Sequence, residues 1–340
     1  MGNLCRIGTV AAAIGTLVVP ALGQATVVEL KFRPIKAFNH VLPAEVWSPA
    51  NAIAIRHAGG ESFASEATET SLRVDTDGDG AVDQKVQGTT GYAVLKGERE
   101  GGEAFQYAVR FRNTGSAFEY SCSGAMSGSL AGTSIELIDG DNDGVWNEYG
   151  VDAMVVGGGV AASWLSRVVN IKGDLWEIDV DADGKRLRAQ PFTGETGTLE
   201  LRSGLALSGK LVSAVVSDST RQYSFEVGNT SKLTVPAASY VFSGGFATSG
   251  SDTARLRAGK MTPLDVEAGK SASMQWGAPL VAEFGFQRQG ETVTVQPNVK
   301  FLGRGGEEWH TLLPDAKSPK LEFYDGSSNK LLASKRFGGC

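Results

Sequence analysis

Three segments of the chain repeat the pattern Asp-x-Asp-x-Asp-Gly: Asp75, Asp77, Asp79 with Gly80; Asp139, Asp141, Asp143 with Gly144; and Asp179, Asp181, Asp183 with Gly184. Carboxylates at alternate positions can fold inward around one hard cation, and glycine in the sixth position permits the sharp turn that brings a following carbonyl into the same shell. Ca2+ is the natural occupant. Mg2+ prefers a stricter octahedron and keeps its water, and zinc calls for His or Cys, which the loops lack. In the first segment Asp83 holds the ninth position, so four carboxylates crowd a short stretch and repel one another unless a cation lies among them. In the second, Asn147 is ninth, with Glu148 and Asp152 close by to complete a shell. In the third, Leu187 is ninth and Arg186 stands beside it, which removes a ligand and adds a repelling charge. That segment reads either as a calcium loop, through Asp179, Asp181 and Asp183, or as a polar hairpin turn, where Asp and Gly are favoured without metal.

An EF-hand needs a glutamate at the twelfth position, and these loops carry Val86, Gly150 and Gln190 there. The first segment, with its Asp at position nine, instead resembles the calcium loops of thrombospondin-type-3 and dockerin-like modules. Such loops in extracellular modules bind with Kd roughly 10^-4 to 10^-3 M, and calcium there would pin strand connections.

The elements that must position these loops read as strands. Ser71 to Val74 and Ser134 to Ile138, flanking the first two loops, alternate apolar and polar residues. Forty-four glycines and many short alternating runs bounded by Gly, Asn, Asp or Ser predict a mainly β protein of two to three β-sandwich-like domains in series. Further strands are expected over Thr198 to Arg202, Glu291 to Gln296 and Lys320 to Asp325; in the last, Leu321 and Phe323 would face a core while Glu322 and Tyr324 face outward. The one helix candidate is Gly159 to Val169. The expected organisation is a signal peptide over 1–25, a β-rich domain with the Asp loops over 26–190, a β-sandwich over 191–279 and a C-terminal β segment over 280–340. Tyr223-Ser-Phe225-Glu-Val227, Val235-Pro236-Ala-Ala-Ser-Tyr240 and Leu264-Asp-Val266-Glu-Ala-Gly269 resemble the transthyretin-like or carboxypeptidase-regulatory-like sandwiches of secreted proteins, with Ser239 where those domains often carry Gly. The resemblance implies a non-catalytic module.

The expectation of export rests on the first residues. Arg6 precedes an apolar run from Ile7 to Val19, no acidic residue occurs before Glu29, and small residues offer cleavage after Gly23 or Ala25. The run is about 13 residues, short of the roughly 18 to 20 that span a bilayer, so no transmembrane segment is expected after its removal. Cys5 lies ahead of the run, unlike the cysteine of a bacterial lipoprotein, and Arg6 stands where a myristoylation signal wants Ser or Thr. A net charge of −6 and the lack of a basic stripe argue against nucleic acid as a partner. Cys122 and Cys340 would remain after cleavage, too few for a dense disulfide framework; a bridge between them, an intermolecular bond and free thiols all stay open.

Other chemistry is weakly signalled. Gly157-Gly158-Gly159-Val160-Ala161-Ala162 matches the Gly-x-Gly-x-x-Ala form of a dinucleotide loop, but the helix candidate behind it is short and βαβ alternation is missing, so a Gly-rich turn is the preferred reading. His40, His57 and His310 belong to no HExxH or Gly-x-Ser-x-Gly pattern and read as surface or loop residues. Trp47, Trp146, Trp164, Trp176, Trp276 and Trp309 read as core, though Trp146 or Trp309 could serve a sugar platform if exposed. The leading expectation is therefore a secreted, periplasmic or cell-surface structural and interaction protein, non-catalytic and stabilised by calcium, with other surface proteins or glycans as partners. The alternatives are a carbohydrate- or matrix-binding module and a secreted hydrolase with an unrecognised site.

Overall fold

The computed structural model describes residues 25–290, 292–296, 298–313 and 320–336. The proposed signal segment up to residue 24 and Cys340 lie outside the described residues. The chain is mainly β: among the described residues there are many antiparallel sheets, consistent with several β domains, and one three-residue 3-10 turn at Arg202–Gly204. No helix among the described residues is long and apolar enough to cross a membrane.

Two hydrophobic cores organise the strands. The first runs from Val28 to Ala189, with Phe63, Leu72, Leu95, Phe111, Leu137 and Leu187 fully buried. Four sheets surround it. One orders Thr26–Glu29, Arg186–Pro191, Asp174–Val180 and Val168–Ile171, so the first strand pairs with one some 160 residues later and the region closes on itself. The others are Ser48–Pro49, Phe118–Cys122, Ala104–Asn113, Thr90–Glu98; then Ser163–Trp164, Ala153–Val156, Thr133–Ile138, Gly124–Leu130, Lys31–Pro34; then Ala52–Ile53, Phe63–Ala67, Ser71–Val74, Gln84–Gln87. The second core gathers residues from Val168 to Trp309 around fully buried Trp276. Its largest sheet runs from Ser224–Glu226 through Lys210–Asp218, Ala238–Ser249 and Asp252–Arg257 to Glu308–Leu313, Lys300–Leu302 and Val281–Glu283, so strands on either side of Pro279 share one sheet.

One hairpin serves both cores. Val169, Ile171, Ile178 and Val180 enter the first, whereas Val168 and Leu175 enter the second. The two-residue period of a strand sends alternate side chains to opposite faces, and here both faces are covered.

Two expectations need correction. Gly159 to Val169 is not a helix: it holds bends and the strands Ser163–Trp164 and the start of Val168–Ile171. Gly157 and Gly158 take φ of +86° and +73°, a backbone course that a helix excludes and glycine permits. Lys320–Tyr324 is a strand, but among the described residues it pairs only with exposed Leu331–Arg336, so Leu321 and Phe323 are half-buried with Glu322 rather than set against a core. His40 and His57 lie in loops, as expected, but packed ones: the His57 ring stacks on Phe63 at 4.2 Å and the His40 side chain is buried against Glu136 at 3.2 Å.

Candidate metal centres

The first Asp loop links Ser71–Val74 to Gln84–Gln87, which pair with each other and hold its two ends together. Asp75 is buried at the mouth. Its Oδ1 accepts the backbone N–H of Asp77 at 3.1 Å and of Gly78 at 2.8 Å, and its Oδ2 accepts that of Gly80 at 3.0 Å. These bonds curl the loop so that Asp75, Asp77 and Asp79 each place a carboxylate oxygen within 4.8 Å of the others, a group able to hold a metal ion. Gly78 and Gly80 sit at positive φ, where a side chain would strain the curl, and a Cβ on Gly78 would also strike the His57 ring at 2.9 Å. Asp83, the expected ninth-position ligand, instead binds Thr76: its Oδ2 accepts the hydroxyl at 2.8 Å and its Oδ1 the backbone N–H at 3.2 Å.

The second loop joins Thr133–Ile138 to Ala153–Val156 and is deeper. Asp139 and Asp152 are almost wholly inaccessible, at 1% and 0% exposure. Asp139 Oδ1 accepts the N–H of Asn142 at 2.6 Å, and Oδ2 accepts Gly144 N–H at 2.7 Å and the Tyr107 hydroxyl at 2.8 Å. Asp152 accepts Gly140 N–H at 3.0 Å and Glu148 N–H at 2.8 Å. Two overlapping groups result, Asp139 with Asp141 and Asp152, and Asp141 with Asp143 and Glu148, each within 4.8 Å. Burial pushes the Asp139 carboxyl up to about 7, and burial together with Asp139 pushes Asp152 up to about 8. Burial and neighbouring acids also raise Asp141 and Glu148. Among the described residues no ion pair reaches these carboxylates, and Asp141 Oδ1 and Glu148 Oε2 are buried without a hydrogen-bond partner. Asn147 is drawn elsewhere, donating to Val180 O at 3.2 Å. Asn142 fixes the loop to the sheet: at φ 71° it accepts Cys122 N–H at 2.7 Å and donates to Val46 O and Ser48 Oγ.

The third segment is a different object. Asp179 lies next to the end of the strand Asp174–Val180 and Asp181 enters the turn to Arg186–Pro191. Asp179 pairs with Arg167 at 3.2 Å and Arg188 at 3.4 Å, while Asp181 pairs with Arg188 at 2.7 Å and Arg186 at 3.0 Å. Hydrogen bonding to Arg188 lowers the Asp181 carboxyl below its usual range. Asp183 Oδ1 accepts Lys185 N–H at 3.0 Å. The structure does not gather Asp179, Asp181 and Asp183 around one point. Arginines neutralise this hairpin, the role a cation would otherwise fill.

The second and third segments nevertheless meet. Trp146 N–H of the second donates to Ala182 O of the third at 3.0 Å, and Gly184 packs so closely on Trp146 that a Cβ would lie 2.9 Å from it. Arg99, in the turn after Thr90–Glu98, donates to Gly144 O at 3.2 Å. Tyr107 and Arg99 had no signal in the Asp pattern, because strand pairing alone brings them from distant sequence. Trp146 and Trp309 are 3% and 6% exposed, so neither is the open sugar platform considered above. The Cys122 thiol is buried and pushed up to about 12 by that burial. Against protein-family models, curated proteins and solved structures, the chain has no match.

Proposed function

We propose that this is a non-catalytic structural and interaction protein of the secreted, periplasmic or cell-surface space, whose strand connections are pinned by Ca2+ at the first two Asp loops. The observation that carries the reading is the second loop: buried Asp139 and Asp152 converge with the more exposed Asp141, which also meets Asp143 and Glu148, and among the described residues no cationic side chain pairs with them. Burying charge without a partner is costly, so such a cluster either holds protons or surrounds a cation. An all-oxygen donor set of carboxylates favours a hard divalent ion, and the flexible loop geometry suits Ca2+ over Mg2+. The Asp-Gly spacing of the first loop, which resembles thrombospondin-type-3 and dockerin-like loops, supports the same ion. The arginine-bonded third segment takes no ion in this reading.

The function follows from where the loops lie. Each closes a hairpin or connection of the first core, so an ion there would lock strands without touching a substrate. The experiment is thermal melting across a calcium titration, with native mass spectrometry for stoichiometry. At free calcium 100 times Kd, linkage stabilises by about 2.7 kcal/mol per independent site. An unchanged Tm between excess chelator and millimolar calcium, with no bound ion by mass, would refute the reading.

A further inference from the structure

A cavity of about 830 Å³ is lined by residues of all three Asp segments, Asp77, Trp146 and Asp183 among them. Its size falls within the roughly 300 to 1,000 Å³ of small-molecule sites. Phe32 and Phe105 are half-buried in its wall and Trp146 forms part of its floor. Against this apolar surface stand Arg99, Lys96 and Lys31. Arg99 is held in place by Gly144 O at 3.2 Å and by the Phe105 ring, 5.1 Å from its guanidinium carbon. Its Nε is buried without a hydrogen-bond partner among the described residues, so the outer part of the guanidinium is what the cavity can meet. Lys96 and Lys31 have no carboxylate partner among the described residues, whereas Lys185, also in the wall, is paired with Glu103.

Carboxylates share the lining: Glu98 and Asp183, with Asp77 of the first loop. That mixture disfavours a polyphosphate, whose charges would meet all three. It suits a ligand with one anionic group, several hydroxyl donors and an apolar ring face. We propose that this cavity binds an acidic saccharide, a uronate of one to three rings. The carboxylate engages the Arg99 guanidinium with Lys96 and Lys31 beside it, sugar hydroxyls donate to Glu98 and Asp183, and a C–H face rests on Phe105 or Phe32. The proposal goes beyond the calcium reading and does not rest on it: a chain that takes uronate but no calcium would refute the first and leave this one standing.

The test is isothermal titration of the protein with di- and trigalacturonate, and with galactobiose as the neutral control, in calcium and again in chelator. Lys96→Gln and Lys31→Gln change exposed side chains and leave folding intact; Arg99→Lys keeps the charge and removes the planar guanidinium fork. Expected are binding of the acidic oligomers, galactobiose weaker by tenfold or more, and each variant weakened roughly tenfold, the worth of one charge-assisted hydrogen bond. Equal binding of galactobiose, unweakened binding by all three variants, or no binding of either uronate at millimolar concentration would each overturn the proposal.

Discussion

Replacing Asp152 with asparagine should change the sign of its effect with calcium. In chelator the wild-type chain folds with the Asp152 carboxyl pushed from 3.8 up to about 8 by burial and by Asp139. At pH 7 the unfolded chain carries this group ionised and the folded chain carries it mostly protonated. Taking up that proton costs about 4 kcal/mol, at about 1.4 kcal/mol for each pH unit above the unfolded value. Because the folded pKa is the higher one, this penalty is absent below about pH 4, grows as pH rises, and saturates above about pH 8. Asparagine removes it. The substitution has its own cost, since Asp152 accepts from both Gly140 N–H and Glu148 N–H, and an amide nitrogen must face one of those donors. An unmet pair of donors costs about 1 to 3 kcal/mol. The net expectation in chelator at pH 7 is a gain of about 1 to 3 kcal/mol, or roughly 2 to 4 °C of Tm per kcal/mol for a unit of this size. In saturating calcium the same change deletes a ligand and should lower Tm. Differential scanning fluorimetry of both proteins from pH 5 to pH 8.5, with calcium and with chelator, decides the matter. If Asp152→Asn lowers Tm in chelator as much as in calcium, the buried cluster is not held together by an ion and the reasoning fails.

Asp79→Asn in the first loop should leave chelator stability within about 0.5 kcal/mol, as exposed changes do, and remove one calcium from the native mass spectrum. Asp181→Asn should leave the ion count unaltered and cost at most about 1 kcal/mol, since it breaks exposed pairs with Arg186 and Arg188; a lost ion would make the third segment a metal site. Gly184→Ala places a side chain at φ 71° with its Cβ 2.7 Å from Met126 and 2.9 Å from Trp146, and should destabilise the chain by about 2 to 4 kcal/mol in urea unfolding, with or without calcium.

What local chemistry governs was legible in the residues. Glycine and alternating short runs foretold a mainly β chain, because side-chain period and turn conformation are properties of neighbouring residues. The Asp-x-Asp-x-Asp-Gly spacing likewise foretold the curl of the first two loops, where Asp75 and Asp139 gather the backbone N–H groups ahead of them. Near-identical spacing could not separate the third segment from these. Arg188 faces Asp179 only because two strands pair in a particular register, and that register decides whether arginine or an ion meets the carboxylates. Burial was equally out of reach. Asp152 is inaccessible and Trp146 lies beneath Gly184 because strands distant in sequence close over them. Desolvation, and with it the strength of every charge in the second loop, is set by that closure: the sequence determined which groups could bind a cation, and only the tertiary structure decided which of them are deprived of water.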